Sequence, residues 1–239
     1  MNTYFSRTEL NKISEGLLKN YYEGNSIHIK EYVEIERFIT DFLKLKIEYV
    51  PFAEPDTDKI GFLSDGETPL SVYKNKIITS AVFPAGTIVV DQYLLRKNET
   101  GRRRFTLAHE AAHYILQNAQ ASEYSSAYHM EFDSERNYSK EELIKLFAVA
   151  ETQADILAAA LLMPKNLIRQ SLKKYGLSCP VKIYDNTLFS IADKPLIHRA
   201  ADSLKVSFSA FTIRLRELKM LESHSMSEFI KNELKLGGD

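Results

Sequence analysis

The chain has 239 residues, of which 44% are hydrophobic and 26% charged, and its formal net charge is −1 at pH 7. This composition is typical of a soluble globular protein, and the near-neutral charge excludes a general attraction to nucleic acid or to anionic lipid. The chain has one cysteine, Cys179, so we expect a reducing setting. The first ten residues show no signal-peptide pattern, and no apolar run is long enough to span a membrane. We therefore expect a cytoplasmic protein without a membrane segment.

The first hundred residues indicate helices followed by strands. Apolar residues recur at intervals of three and four between residues 7 and 46, which predicts helices there. Short β-branched and aromatic segments come next, separated by turn signals such as Asp65-Gly66. These predicted strands are 46–50, 59–64, 69–73, 76–83 and 86–91. Their short spacing predicts one small, largely antiparallel sheet.

From residue 103 onward the pattern is mainly helical. One helix carries the sequence RRFTLAHEAAHYILQNA, and a polar segment, 119–138, separates it from a long second helix. Ser139 and Glu142 have the spacing of a capping box at the start of that helix, and Pro164 marks its end. The predicted core of this part is therefore a pair of long helices joined by a long polar connection.

Shorter helices complete the chain. One ends at Gly176, a residue suited to a helix C-terminus. Two more, within 195–221, form a helix-turn-helix-like segment in which Ser207 or Ser209 caps the second helix. The order of helices, sheet and helices predicts an α+β fold. We expect one domain over residues 1–176 and a helical C-terminal region over 177–239.

The segment RFTLAHEAAHYIL, residues 104–116, places His109 and His113 four residues apart, with Glu110 directly after the first histidine. Positions four apart stack on one face of a helix, so both imidazole rings can reach one metal ion. Glu110 lies beside that face, where a carboxylate can act as general base on a water molecule. The flanking residues are apolar or small, and burial of these polar groups without a partner would be costly. The pattern therefore predicts a hydrolytic zinc site.

A catalytic zinc site needs a third protein ligand. The metzincin extension is absent, because Leu116 and Ala119 occupy the positions of its glycine and its third histidine. Glu151 and Asp155 lie one turn apart on the long second helix, in an otherwise uncharged run. This spacing predicts Glu151 as the third ligand and Asp155 as the acceptor for the second nitrogen of a ligand histidine. His129, in the polar segment, is the competing third ligand.

Three stretches of the chain carry a family resemblance: RRRFTLAHEAAHYIL, ETQADILAAALLMP and ADSLKVSFSAFTIRLRELKML. In this order they resemble the ImmA/IrrE-type metallopeptidases and cover much of residues 86–221. The resemblance implies a zincin-like domain of the gluzincin type, with zinc bound by two histidines and a glutamate. Its implied zinc ligands are His109, His113 and Glu151, with Glu110 as the general base and Asp155 behind the ligands.

The same resemblance implies a function. Members of the family are cytoplasmic zinc endopeptidases that typically cleave helix-turn-helix repressors of mobile elements or stress genes. The chain departs from the family pattern in the 37 residues between His113 and Glu151, which are more than we expect. Within this connection, Tyr124, Tyr128 and His129 are unranked candidates for the donor that stabilises the developing oxyanion.

Two other function classes remain open from the sequence. One is a DNA- or protein-binding regulator with a structural metal site, although a structural site needs no base such as Glu110. The other is a zinc amide hydrolase for small molecules, which a closed pocket without an accessible edge strand would favour. The segment 86–91 is either an edge strand that an extended substrate pairs with or an ordinary core strand. The modest basic charge of 195–221 favours packing or substrate docking over DNA binding.

Overall fold

The computed structural model describes residues 2–3, 5–24, 31–56, 58–120, 129–130 and 140–234. It divides into two compact units, residues 1–28 with 34–162 and residues 29–33 with 163–239. Within the described ranges, no helix has both the length and the apolar character needed to span a membrane. The fold is mixed α/β, with small sheets and many helices. The domain boundary expected at residue 176 stays a prediction.

The helices of the first unit are α1 (Arg7–Gly24), α2 (Ile35–Arg37, continued by a wide turn over Phe38–Phe42), α3 (Thr100–Gln120) and α4 (Lys140–Leu162). Helix α1 packs on α4, and its buried residues include Leu10 and Leu18. Helix α2 is much shorter than the apolar pattern up to residue 46 predicts. Lys44 has a left-handed backbone (φ 60°), which ends the helical turn and leads the chain into the first long strand.

The strands of the first unit are β1 (Asn2–Thr3), β2 (Lys46–Val50), β3 (Gly61–Leu63), β4 (Leu70–Lys74), β5 (Ile77–Ala81), β6 (Thr87–Asp91) and β7 (His129–Met130). They form a three-stranded sheet in the order β2-β6-β3, a β4-β5 hairpin and a short β1-β7 pair. The β2 and β6 strands are parallel, whereas β3 runs antiparallel to β6. The prediction of one largely antiparallel sheet was therefore wrong in part, because β2 pairs with a strand distant in sequence instead of its neighbour.

Strand β6 is the central strand of its sheet, with β2 on one side and β3 on the other. Its residues Ile88, Val89 and Val90 are completely buried. A strand buried on both faces shows a continuous apolar run of this kind. The edge-strand hypothesis for 86–91 is wrong, and the core-strand alternative is confirmed. Strands β2 and β3 occupy the two edges of this sheet.

Helices α3 and α4 pack closely against each other. Small residues line both helices where they are buried: Ala108, Ala111 and Ala112 on α3, and Ala154 and Ala158 on α4. Side chains of this size let two helix backbones approach, which brings polar residues beside the contact within reach of each other. The α3–α4 pair is therefore the frame of the candidate site.

The second unit contains α5 (Lys165–Lys174), β8 (Val181–Tyr184), α6 (Asp193–Ser203), α7 (Phe208–Glu217), β9 (Leu221–His224) and α8 (Met226–Phe229, continued by Ile230–Leu234). Gly176 has the positive φ (72°) of a helix C-terminus, as predicted. Ser207 caps α7 by accepting a hydrogen bond from the Ala210 N–H, which confirms one of the two predicted caps. The predicted capping serine of α4, Ser139, lies outside the described residues.

Candidate metal centre

Helix α3 presents two histidines from successive turns to the same point. The Nε2 atoms of His109 and His113 lie 3.0 Å apart, and their ring centroids are 4.6 Å apart. Both side chains are mostly buried, with 18% and 21% of their surface exposed. The spacing of four residues on a helix produces this convergence, as the sequence predicts.

Helix α4 adds a carboxylate to the pair. Glu151 Oε2 lies 3.2 Å from His109 Nε2, and Glu151 Oε1 lies 3.4 Å from His113 Nε2. One ligand atom from each of these residues falls within 4.8 Å of the others. Ligands about 2.0–2.1 Å from a tetrahedral zinc ion are about 3.3 Å from one another. The donor set of two imidazoles and a carboxylate, and its spacing, therefore fit zinc.

Asp155 stands behind this donor set, one turn after Glu151 on α4. Its Oδ1 lies 2.9 Å from His109 Nδ1. Because an ionised carboxylate can only accept, His109 donates from Nδ1 and leaves its Nε2 free of a proton for a metal ion. The structure thus brings Asp155 to the position that the sequence predicts for it.

The surroundings change the pKa of each histidine differently. Burial acts to lower the pKa of His109, but the hydrogen bond to Asp155 and the nearby charges of Glu110 and Glu151 outweigh it, so that the pKa is raised. Burial and the neighbouring His109 lower the pKa of His113. His113 is thereby held in the neutral form, which is the form that binds metal.

Glu110 lies on the inner side of α3 and is only 9% exposed. Burial raises the pKa of its carboxyl group to about 7, while the charge of His109 and a hydrogen bond from the backbone N–H of Leu63 act in the opposite direction. A carboxyl group with a pKa near neutral pH can both take up and release a proton, which is what general acid–base chemistry needs.

These residues line one cleft of ≈520 Å³ in the first unit. One wall is the face of α3 that carries the histidines. The others are the turn of α4 from Glu151 to Asp155 and strand β3 with the residues just before it. The lining residues on the β3 side are Asp58, Lys59, Ile60, Gly61, Phe62 and Leu63. The side chains of Glu151 and Asp155 are 59% and 58% exposed, so they lie at the open side of the cleft.

The contribution of β3 was missed in the sequence analysis. Its signal is Gly61, a glycine in the interior of the predicted strand 59–64 and the first residue of β3 in the structure. A glycine in the interior of a strand often marks a place where another group approaches the backbone closely. Here that group is Glu110, whose carboxylate lies next to Gly61.

The structure does not describe the side chains of the three predicted oxyanion donors. Tyr124 and Tyr128 lie outside the described residues. The backbone of His129 is described, as part of β7 opposite Thr3, but its side chain is not. The three residues stay predictions.

In one cleft, two helices hold a His/His/Glu cluster that could bind a metal ion, with a carboxylate beside it. Together with the family match over most of the chain, this site makes the protein metallopeptidase-like. The chain belongs to the Peptidase_M78 family, because the model of its IrrE N-terminal-like domain matches residues 45–216. This match confirms the resemblance to ImmA/IrrE-type metallopeptidases. No curated protein matches the chain.

Proposed function

We propose that the protein is a zinc-dependent endopeptidase that acts in the cytoplasm and hydrolyses a peptide bond in a specific protein. The proposed substrate is a helix-turn-helix repressor of a mobile element or stress regulon. The observation that carries the proposal is the buried carboxylate of Glu110, in the same cleft as the His/His/Glu cluster. In this proposal His109, His113 and Glu151 hold zinc, and Asp155 orients His109.

Each residue then has one task. A zinc ion in such a site supplies Lewis-acid activation of water and of a carbonyl group. Glu110 accepts a proton from the attacking water at its carboxylate and later gives it to the leaving amine. In the metal-free protein, burial raises the pKa of Glu110 to about 7. Asp155 keeps His109 in the tautomer that leaves Nε2 unprotonated.

A peptide substrate fits the wall of the cleft better than a small amide does. Strand β3 is an edge strand, and the two residues that flank it also bond to β6. The Asp91 N–H donates to the Ile60 carbonyl (3.0 Å), and the Ser64 N–H donates to the Thr87 carbonyl (2.9 Å). Since backbone groups alternate along a strand, those of Gly61 face away from β6, towards the cleft. An extended peptide can pair there by β-augmentation.

The alternative of a structural metal site is less well supported. A structural zinc site is normally closed by four protein ligands. Among the described residues the cluster consists of His109, His113 and Glu151. A site with these three ligands leaves a coordination position for water. A buried Glu110 beside it has no purpose in a purely structural site.

The C-terminal helices are proposed to pack or to dock the substrate, not to bind DNA. Arg214, one of the basic residues of α7, is only 2% exposed. Its guanidinium contacts the Met163 carbonyl and Glu217, both at 3.3 Å. This arginine therefore contributes to the core of the second unit and does not present its charge to a phosphate backbone.

The test is cleavage of the repressor encoded beside the gene. The purified protein, loaded with zinc, is incubated with that repressor, and the fragments are identified by mass spectrometry. We expect one specific cut, which a chelator abolishes and Glu110→Gln reduces by at least about 10²-fold. The matched control is Glu67→Gln, the same change on an exposed loop outside the cleft. A zinc-loaded protein that binds the operator DNA and leaves the repressor intact would instead favour a regulator.

A further inference from the structure

The position of Gly61 leaves no room for a side chain. A Cβ atom built on Gly61 would lie 2.5 Å from Thr106 Cγ2 and 2.6 Å from Glu110 Oε1. Both distances are shorter than real Cβ contacts, so an added methyl group would force one of these neighbours to move. The φ of Gly61 is not in the left-handed region. The glycine is therefore required for space and not for backbone freedom.

Of the two neighbours of Gly61, Thr106 cannot move away easily. Thr106 is buried, and its hydroxyl donates a hydrogen bond to the Arg102 carbonyl at 3.0 Å, which fixes the position of its methyl group. The backbone is bonded to the central strand β6 on both sides of Gly61, through Ile60 before β3 and Ser64 after it. The Glu110 carboxylate is the group left to move.

Glu110 also lies close to a second residue of β3. The backbone N–H of Leu63, two residues after Gly61, lies close enough to the Glu110 carboxylate to act against the rise of its pKa. The backbone groups of Leu63 and Gly61 face the cleft together, because residues two apart on a strand have the same orientation. The edge of β3 thus provides both the space and the donor that set the carboxylate position.

We infer that Gly61 is a positioning residue for the base: its missing side chain leaves the volume in which the Glu110 carboxylate rests against the β3 backbone. Any larger residue displaces the carboxylate from the Leu63 N–H and from the water that it must deprotonate. The inference rests on the proposed function in so far as Glu110 is the general base. The steric contact itself does not depend on that function.

The contact is tested first by unfolding of the metal-free protein, which needs no substrate. We expect Gly61→Ala to lower the melting temperature, and to lower it much less in a Thr106→Ser/Glu110→Ala background, where the two clashing groups are gone. The matched control is Gly16→Ala on α1, where nothing lies within 4 Å of the added methyl group. That control should not lower the melting temperature, because alanine favours a helix more than glycine does.

The positioning role is tested by the kinetics of repressor cleavage. We expect Gly61→Ala to bind zinc with unchanged stoichiometry and to keep KM, while kcat falls by about 10²-fold, the usual effect of a 1 Å displacement of a reacting group. Thr106→Ser should restore part of kcat, since it relieves one of the two close contacts. If Gly61→Ala alone does not fold, the Gly61→Ala/Thr106→Ser pair carries the kinetic test.

The outcomes separate the two claims. Wild-type protein that cleaves nothing, together with the expected coupling in unfolding, overturns the proposed function and leaves the contact standing. An equal loss of melting temperature in both backgrounds overturns the contact. An unchanged kcat in Gly61→Ala overturns the positioning role even if the wild type is an active peptidase.

Discussion

His109 is held between two carboxylates of one helix: its Nδ1 lies 2.9 Å from Asp155 Oδ1, and its Nε2 lies 3.2 Å from Glu151 Oε2. One turn of α4 separates the two acids, and one imidazole ring spans them. The acid at Nδ1 fixes the tautomer, and the acid at Nε2 completes the donor set. The two acids therefore have different effects on metal binding when they are changed.

Replacing Asp155 should weaken zinc binding without removing a ligand. We expect Asp155→Ala to lower zinc affinity by about 10–100-fold, because His109 loses the acceptor that fixes its tautomer. Asp155→Asn keeps an oxygen acceptor and should lose less. Competition with a chromophoric chelator measures both, with Asp202→Asn, an exposed acid on α6, as the control. Unchanged affinity in Asp155→Ala would remove Asp155 from the proposed site.

Zinc should stabilise the protein, and His113→Ala should abolish that effect. A ligand that binds only the folded state at about 100 times its Kd adds about 2.7 kcal/mol to the free energy of unfolding. We expect a rise in melting temperature with zinc and its loss after chelation. His198→Ala is the matched control, since His198 stacks on Phe208 at 4.0 Å in the second unit and should not alter the zinc response. A full zinc response in His113→Ala would contradict the ligand assignment.

The sequence predicts those parts of the site that depend on local periodicity. The spacing of His109 and His113 fixes one face of a helix, and the spacing of Glu151 and Asp155 fixes one face of another. The close packing of the two helices follows from their small residues, such as Ala111 and Ala154. Periodicity does not predict which strand lies beside the helices, because that depends on pairing between distant segments.

Strand pairing is where the sequence analysis was least successful. The apolar run of β6 predicts a strand, but the run alone does not show whether the strand is central or at an edge. Strands β8 (Val181–Tyr184) and β9 (Leu221–His224) were missed, since each is only four residues long and β9 is largely polar. The role of Gly61 also depends on tertiary structure, because only the packing of β3 on α3 creates the close approach to Glu110.

The stability of the metal-free protein should fall as Glu110 ionises. Its pKa is raised from 4.5 in the unfolded chain to about 7 in the folded one. The folded state therefore binds the proton more tightly, and this stabilisation is fully present below pH 4.5 and lost as the pH rises through 7. The shift corresponds to roughly 3 kcal/mol.

Chemical denaturation with a chelator present, at several values between pH 5 and about pH 8, measures this dependence. We expect Glu110→Gln, which cannot ionise, to lose less stability than the wild type over this range. The difference between the two proteins isolates Glu110, because the histidines titrate in both. Parallel pH profiles for the two proteins would contradict the raised pKa.

Substitutions at the start of α7 should show which of two serines, Ser207 or Ser209, caps the helix. Ser207 accepts a hydrogen bond from the Ala210 N–H at 3.1 Å, whereas Ser209 lies inside the first turn of the helix. We expect Ser207→Ala to lower the free energy of unfolding by about 1 kcal/mol, because an N–H at the helix start loses its acceptor. Ser209→Ala is the matched control and should change it by less than about 0.5 kcal/mol. Hydrogen exchange of the Ala210 amide measures the effect locally, and equal exchange rates in the two variants would show that Ser207 is not the cap.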